Sequence, residues 1–422
     1  MPPRSSLKRL RLRPRRGLRQ LGPGLITGAA DDDPSGIATY SQAGAQYGLG
    51  MLWTVMVTLP LMVAIQLVSA RIGCVTGKGL SENMRERYPR WVVHGCVGLL
   101  VGANTLNIGA DLAAMGEALR LLVGGSAHVY AVTFGLLCLV LQVFLPYQRY
   151  VRWLKWLTLA LFAYVAVVLS VRIDWLAVAR ALVSPSLPGG HEVFTTVVAV
   201  LGTTISPYLF FWQASQEVED KGARRPGTTQ LRFHLARIRT DTLVGMGLSN
   251  AIAFCIMLST ATTLYAAGVH DIQTSAQAAE ALRPVAGPFA FLLFGLGIIG
   301  TGMLAVPVLA GSAAYAVAGA GGWHGSLSQR LNQGEGKGFY GVIAVATVIG
   351  VLLCFTPADP MQVLFWTAVI NGVVAVPIMV ILMRLASRAD VMGEHVVGRR
   401  VRWLGWLATA LMAVAVVGMV WA

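Results

Sequence analysis

Apolar residues run along this chain in blocks of about twenty, parted by short polar stretches, rather than as the one-sided stripe of a water-soluble amphipathic helix. Eleven blocks fall at roughly 22–46, 50–74, 91–122, 127–146, 152–171, 192–216, 241–268, 287–319, 339–356, 360–384 and 401–421. A hydrocarbon core about 30 Å thick takes about 20 helical residues to cross. The pattern therefore predicts an all-α integral membrane protein of about eleven transmembrane helices, with no segment left over for a separate soluble domain.

Two blocks are interrupted. The first contains Asp31, Asp32 and Asp33, followed at once by Pro34, Ser35 and Gly36. Counted from Gly22, Asp33 lies roughly 16 Å into the span, near the bilayer midplane. A carboxylate at that depth costs several kcal/mol unless compensated, and marks a functional site by default. Pro34 and Gly36 also break the helix, and broken backbone at membrane depth persists only where protein buries it or a wet cavity meets it. The sixth block is broken at Thr203-Thr204-Ile205-Ser206-Pro207-Tyr208, with Pro207 standing 173 positions after Pro34. Paired interruptions at matching places point to a transporter built from inverted repeats, with its site between the two breaks. The expected units are a basic tail (1–20), a first five-helix repeat (21–171), a second, inverted repeat (192–384) and an added helix (401–421).

Composition agrees. Of 422 residues 55% are hydrophobic and 12% charged, and the mean hydropathy is +0.65. The net charge of +14 invites a nucleic-acid reading, but its placement argues for a membrane. With a cytoplasmic N-terminus, all but four of the 33 Lys and Arg residues (Arg120, Arg172, Arg180 and Arg283) fall on the cytoplasmic side. That is the positive-inside bias, and it assigns the basic residues to topology and anionic lipid. The Arg-rich start lacks the uncut apolar run of a signal peptide and reads as a cytoplasmic tail. Cys74, Cys96, Cys138, Cys255 and Cys354 are scattered through apolar runs, as buried thiols are. The stretch Glu217, Glu219, Asp220, Lys221, Arg224 and Arg225 alternates in sign and reads as a solvated loop.

The motifs resemble those of the NRAMP family of divalent-metal transporters. Gly22-Pro23-Gly24, Asp33-Pro34-Ser35-Gly36 and Gln42-Ala43-Gly44 are similar to that family's G-P-G, D-P-G-N and Q-A-G. The sixth-block stretch is similar to its A-x-x-M-P-H, and Ala110-Asp111-Leu112 to its D-L-A-E. The resemblance implies a LeuT-type 5+5 inverted repeat and a metal site between the unwound parts of spans one and six. The departures are specific. Gly36 stands for the family's Asn, Ser206 for its Met, Tyr208 for its His and Ala114 for its Glu, and the ninth span carries no basic residue. These changes resemble the divergent, NRAMP-related magnesium transporters.

The expected ligands are Asp33, Ser206, the carbonyl of Thr203, the space left by Gly36, and Asn371, which can reach the ion or its water shell or hydrogen-bond a neighbouring helix. Asp31, Asp32, Asp111 and Tyr208 are expected around the site, as vestibule or secondary groups. Successive helical residues diverge by about 100°, so the three aspartates cannot all point the same way. Asp111 lies where the family has a proton path, but without the neighbouring acid. The expectation is a carrier in the inner or plasma membrane that works by alternating access. It favours Mg²⁺, accepts Mn²⁺ and moves no stoichiometric protons. The metal is its substrate; no cofactor, nucleic acid or obligatory protein partner is expected. Two other carriers fit the same pattern, a sodium-coupled transporter of an amino acid and a proton-coupled Mn²⁺/Fe²⁺ carrier. An intramembrane aspartyl protease would pair Asp33 with Asp111, but its G-x-G-D motif is lacking.

Overall fold

A computed structural model describes residues 23–145, 157–185, 191–221, 228–323, 325–327 and 336–421. The basic tail and Arg224–Arg225 lie outside them. The first interrupted block forms two helices, α1 (Pro23–Asp31) and α2 (Pro34–Tyr47). Then come α3 (Leu52–Thr76), α4 (Leu80–Arg87), α5 (Arg90–Val123), α6 (Ala127–Phe144), α7 (Phe162–Ser170) and α8 (Trp175–Val183). The sixth block is split into α9 (His191–Thr204) and α10 (Pro207–Lys221). The chain finishes with α11 (Thr228–Thr260), α12 (Ala290–Gly321), α13 (Gly336–Leu353), α14 (Pro360–Ser387) and α15 (Arg399–Trp421).

Both breaks have the same cause. Pro34 and Pro207 each open the second half-helix, where a missing N–H costs nothing, while a proline one turn deeper would have lost a bond and met a carbonyl. Asp33 is the N-cap of α2, with extended backbone (φ −70°, ψ 171°). Among the described residues nine helices are long and apolar enough to cross a membrane, or ten if the bent pair Leu159–Ser170 and Trp175–Val183 makes one span. One of the nine, Pro34–Thr76, has 43 residues. At 1.5 Å per residue it would be about 65 Å long, twice a hydrocarbon core. The turn at Gly48–Met51, with Gly48 at φ +57°, divides it into α2 and α3, as the alternation of blocks anticipates.

The packing is that of a membrane bundle. α1 lies against α11, α9 against α14, and α5 against α12, α13 and α14. α12 is buried on nearly every side, whereas α15 shows Trp403 and Trp421 to the outside. Helix crossings use small residues: a Cβ on Gly28 would collide with Gly245, and one on Gly202 with the carbonyl of Ala368. Close backbone approach of this kind is how helices associate without a hydrophobic drive. All five cysteines are free thiols.

The helix of the fifth block stops at Ser170, beside the expected bound of 171. Asp174 caps a further helix, α8, by accepting from the Leu176 and Ala177 amides at 3.0 and 3.1 Å, and α8 turns 117° away from the preceding helix. The acidic stretch after the sixth block is not a solvated loop. α10 runs on to Lys221, and Glu217 is fully buried. Arg237 of α11 pairs with Glu217 at 3.1 Å and with Asp220 at 2.5 Å. Glu219 accepts from the Tyr315 hydroxyl at 2.5 Å and from the Leu327 amide at 2.9 Å.

Candidate functional site

The two breaks meet in the middle of the bundle, with Asp33 at their centre. Its Oδ1 accepts from the Gly36 amide at 2.8 Å and the Ser35 hydroxyl at 2.6 Å. Its Oδ2 accepts from Asn107 Nδ2 at 3.1 Å and the Tyr208 hydroxyl at 3.4 Å. Four donors thus converge on one carboxylate that sits at the positive end of α2. Tyr208 shares its one hydroxyl proton with the carbonyl of Ala30, the nearer acceptor at 3.0 Å, and accepts at its own carbonyl from Ser312 at 2.8 Å. It therefore ties the end of α1 and the start of α10 to α12.

Thr203 and Gly36 face each other: a Cβ on Gly36 would lie 3.3 Å from Thr203 Oγ1. That hydroxyl is buried without a partner. Ser206 is turned back on its own half-helix, its hydroxyl 2.8 Å from the carbonyls of both Gly202 and Thr203. It reaches an ion only through its lone pairs, and it shares the Thr203 carbonyl. Asn371 donates to Asn107 Oδ1 at 3.5 Å, while its own Oδ1 is buried and unpartnered. Asp111 meets the same Asn107 at 3.4 Å and leaves Oδ1 unpartnered.

Asn107 is the residue that sequence reasoning missed. It joins Asp33, Asp111 and Asn371 from the middle of α5. A signal existed, since Asn104, Asn107 and Asp111 recur at helical spacing and form one polar stripe on an apolar span.

Asp31 and Asp32 belong elsewhere. Their carboxylates meet Ser249 of α11 at 2.6 and 3.0 Å. Two further bonds hold α1 at its other end. Asp241 accepts from the Gly24 amide at 2.9 Å, and Thr27 donates to Gln213 at 2.5 Å.

Asp31, Asp32, Asp33 and Asp111 are all buried, and among the described residues none has a Lys or Arg salt-bridge partner. Nor do three His, Cys, Asp or Glu side chains converge anywhere among the described residues as a metal cluster. The centre at Asp33 is one carboxylate with hydroxyl, carboxamide and carbonyl oxygens around it. A cavity of about 690 Å³ between α5, α6 and the start of α14, with Glu117, His128 and Asp359 on its walls, opens on another face of α5.

Paired broken helices around a buried carboxylate define a secondary transporter of cations. The profile described as natural resistance-associated macrophage protein-like (Nramp) matches residues 24–422, and the chain belongs to that family: it is a divalent metal cation transporter, not an enzyme. Over 398 residues it is 27% identical to the divalent metal cation transporter MntH of Klebsiella pneumoniae (strain 342), covering 93% of this chain and 91% of the relative. Over 411 residues it is 28% identical to MntH of Deinococcus radiodurans, covering 94% and 88%. Among solved structures it matches the Eremococcus coleocola manganese transporter with a TM-score of 0.75 at 18% identity, covering 94% of this chain and 86% of that one. It also matches Mhp1, a nucleobase-cation-symport-1 family transporter in a closed conformation, with a TM-score of 0.56 at 13% identity, covering 95% and 92%. These structures establish the fold, the LeuT-type arrangement with broken first and sixth spans.

Proposed function

We propose that the chain carries hard divalent cations by alternating access, with Mg²⁺ favoured and Mn²⁺ also accepted, and without stoichiometric proton movement. One observation carries this reading: beside Asp33 lie the hydroxyls of Ser35 and Tyr208 and the carboxamide of Asn107, each of which has an oxygen to offer, and Ser206 stands where the family places a thioether. Oxygen donors suit Mg²⁺ and Mn²⁺, whereas sulfur favours softer ions. Asp33 is the direct ligand. An incoming ion takes the place of the longest donors, Tyr208 and Asn107. Thr203 offers its carbonyl and unpartnered hydroxyl, Asn371 its unpartnered Oδ1, and Ser206 a lone pair. Gly36 leaves room for water that Mg²⁺ keeps.

The reading extends to topology. The N-terminus is cytoplasmic, the membrane is the inner or plasma membrane, and anionic lipid meets the basic loops. Residues 21–171 and 192–384 form the two inverted repeats and 401–421 an addition. A second reading, a proton-coupled Mn²⁺/Fe²⁺ carrier, is favoured by the relatives, whose names speak of divalent metal cations and of manganese. Competition separates the two. In liposomes holding the purified chain, millimolar Mg²⁺ is expected to suppress Mn²⁺ uptake and Asp33→Ala to abolish it. Mn²⁺ uptake indifferent to millimolar Mg²⁺ sinks the Mg²⁺ reading, and a transporting Asp33→Ala variant sinks the site.

A further inference from the structure

Two helical hairpins turn side by side at one face of the bundle: α5 into α6 at residues 124–126, and α13 into α14 at residues 354–359. His128 stacks on Phe355 between them, with ring centroids 5.1 Å apart. α5 and α13 cross closely, since a Cβ on Gly109 would lie 3.0 Å from the Gly350 carbonyl. Past that crossing α13 has three residues left, whereas α5 runs on for fourteen, about 21 Å. This overhang leaves the cavity of about 690 Å³ between α5, α6, the end of α13 and the start of α14.

The cavity walls are sorted by depth. Asn107, which donates to Asp33, and Asn371, which bonds to Asn107 at 3.5 Å, mark the central level of the bundle. Glu117 lies ten residues further along α5, and Asp359 twelve residues back along α14. At 1.5 Å per residue these are about 15 and 18 Å from the centre, and half a hydrocarbon core is about 15 Å. Glu117, Arg120, Ser126, His128 and Asp359 therefore line the cavity at headgroup level. Deeper in, the walls are Leu106, Ala110, Ala113, Leu353 and Val363. Leu106 is 38% exposed on a spanning helix, so the deeper half opens toward acyl chains.

At headgroup level, charges of both signs stand together. Arg120 holds Glu117 at 2.6 Å, and a guanidinium has five N–H donors, so it can take a phosphate as well. Ser126 is the N-cap of α6 but makes no capping bond, which leaves the first amides of that helix beside the same cavity. Glu117 and Asp359 are two carboxylates for one guanidinium, and among the described residues no three His, Cys, Asp or Glu side chains converge as a metal cluster. The excess negative charge thus suits an organic cation. We propose that this groove binds one zwitterionic aminophospholipid, with its phosphate on Arg120 and the α6 amides, its ammonium between Glu117 and Asp359, and an acyl chain along Leu106, Ala110 and Ala113. Headgroup pockets between spanning helices are a known form of lipid recognition. The lipid fills the space between α5 and α14 above the Asn107–Asn371 pair.

The test is native mass spectrometry of the purified, delipidated full-length chain, titrated with phosphatidylethanolamine, phosphatidylcholine or phosphatidylglycerol. One saturable phosphatidylethanolamine is expected. Phosphatidylcholine, whose nitrogen has no N–H to donate, and phosphatidylglycerol, which has no cation, are each expected to bind roughly tenfold more weakly, as loss of a charge-assisted hydrogen bond does. Asp359→Asn keeps a capping side chain for α14 and is expected to erase the preference for phosphatidylethanolamine over phosphatidylcholine. Arg120→Gln should weaken both lipids and Arg120→Lys restore part of the affinity, while Ala113→Phe, which fills the deeper half, should remove the site. Gel filtration checks the folding of each variant. Three results overturn the proposal: phosphatidylethanolamine bound no more tightly than the other two lipids in wild type, unchanged affinity in both Arg120→Gln and Asp359→Asn, or glycerophosphoethanolamine, the same headgroup without acyl chains, binding as tightly as the lipid, which would mark a site for a soluble solute. Metal flux is read separately, so failure here leaves the carrier reading standing.

Discussion

The Asn107 carboxamide donates to Asp33 Oδ2 at 3.1 Å and lies 3.4 Å from Asp111 Oδ2, so one α5 side chain bridges two buried carboxylates. Its Oδ1 receives Asn371 from α14. Asn107 thereby holds the Asp33 carboxylate in position.

Asn107→Ala is therefore expected to cut metal flux roughly ten- to hundredfold, the worth of a hydrogen bond to a charged group. Asn371→Ala loses a long neutral bond and the Oδ1 proposed for the ion, without removing a bond to Asp33, and should cost less than Asn107→Ala. Initial rates of Mn²⁺ uptake in liposomes, with gel filtration as the folding control, check both. Equal effects would show that Asn107 has no special place.

The breaks at Asp33-Pro34 and Ser206-Pro207 were legible because prolines and acids stand out inside apolar runs, and each acts through local backbone rules. Asn107 was not, because its meaning depends on α2, α5 and α14 meeting, and an isolated Asn in a span looks like an ordinary interhelical bond. Asp31 and Asp32 were seen, but their direction was not, since Ser249 lies 217 and more residues away. Glu217 was misread for a related reason. Alternating charge is what a solvated surface shows, and only the fold brings Arg237, 20 residues on, against it.

That ion pair carries a stability prediction. Glu217 is 0% exposed in its side chain and Arg237 20%. Arg237→Met removes the guanidinium that this buried carboxylate meets at 3.1 Å, beside its contact with Gln213 at 3.4 Å. Arg237→Met should destabilise the protein by about 3 kcal/mol, whereas the double variant Arg237→Met, Glu217→Leu should regain much of the loss. Thermal unfolding of the detergent-solubilised protein, by loss of monodisperse material, measures both. A single variant as stable as wild type would place Arg237 in solvent.

Proton coupling is tested on a different axis. Ala114 stands one turn from Asp111 where the family has an acid, and α13 from Gly341 to Leu353 has no basic side chain. Transport is expected to run on the ion gradient and the membrane potential. At about 2.3 kcal/mol per charge per 100 mV, a divalent ion has ample drive from the potential alone. A pH-sensitive dye trapped in liposomes should stay flat during metal uptake. Acidification that tracks the flux would return the chain to the proton-coupled reading.

Selectivity gives the sharpest prediction, through Ser206. Its hydroxyl is spent on the Gly202 and Thr203 carbonyls at 2.8 Å, so the side chain presents the ion with a hard, weak oxygen and no thioether. A sulfur at this position prefers soft or borderline ions such as Cd²⁺ and has little affinity for Mg²⁺. Ser206→Met frees both carbonyls and points a sulfur toward the space beside Gly36 and Thr203. Wild type is expected to carry Mg²⁺ and Mn²⁺ with Cd²⁺ a poor substrate, and the variant to gain Cd²⁺ uptake at the expense of Mg²⁺. The shift is limited by Gly36, which still leaves room for retained water. The measurement is Cd²⁺ uptake in both forms alongside Mg²⁺ titrated against Mn²⁺. If wild type takes up Cd²⁺ readily and Ser206→Met changes nothing, the residue at this position does not set the hardness of the site, and the preference for Mg²⁺ loses its physical basis.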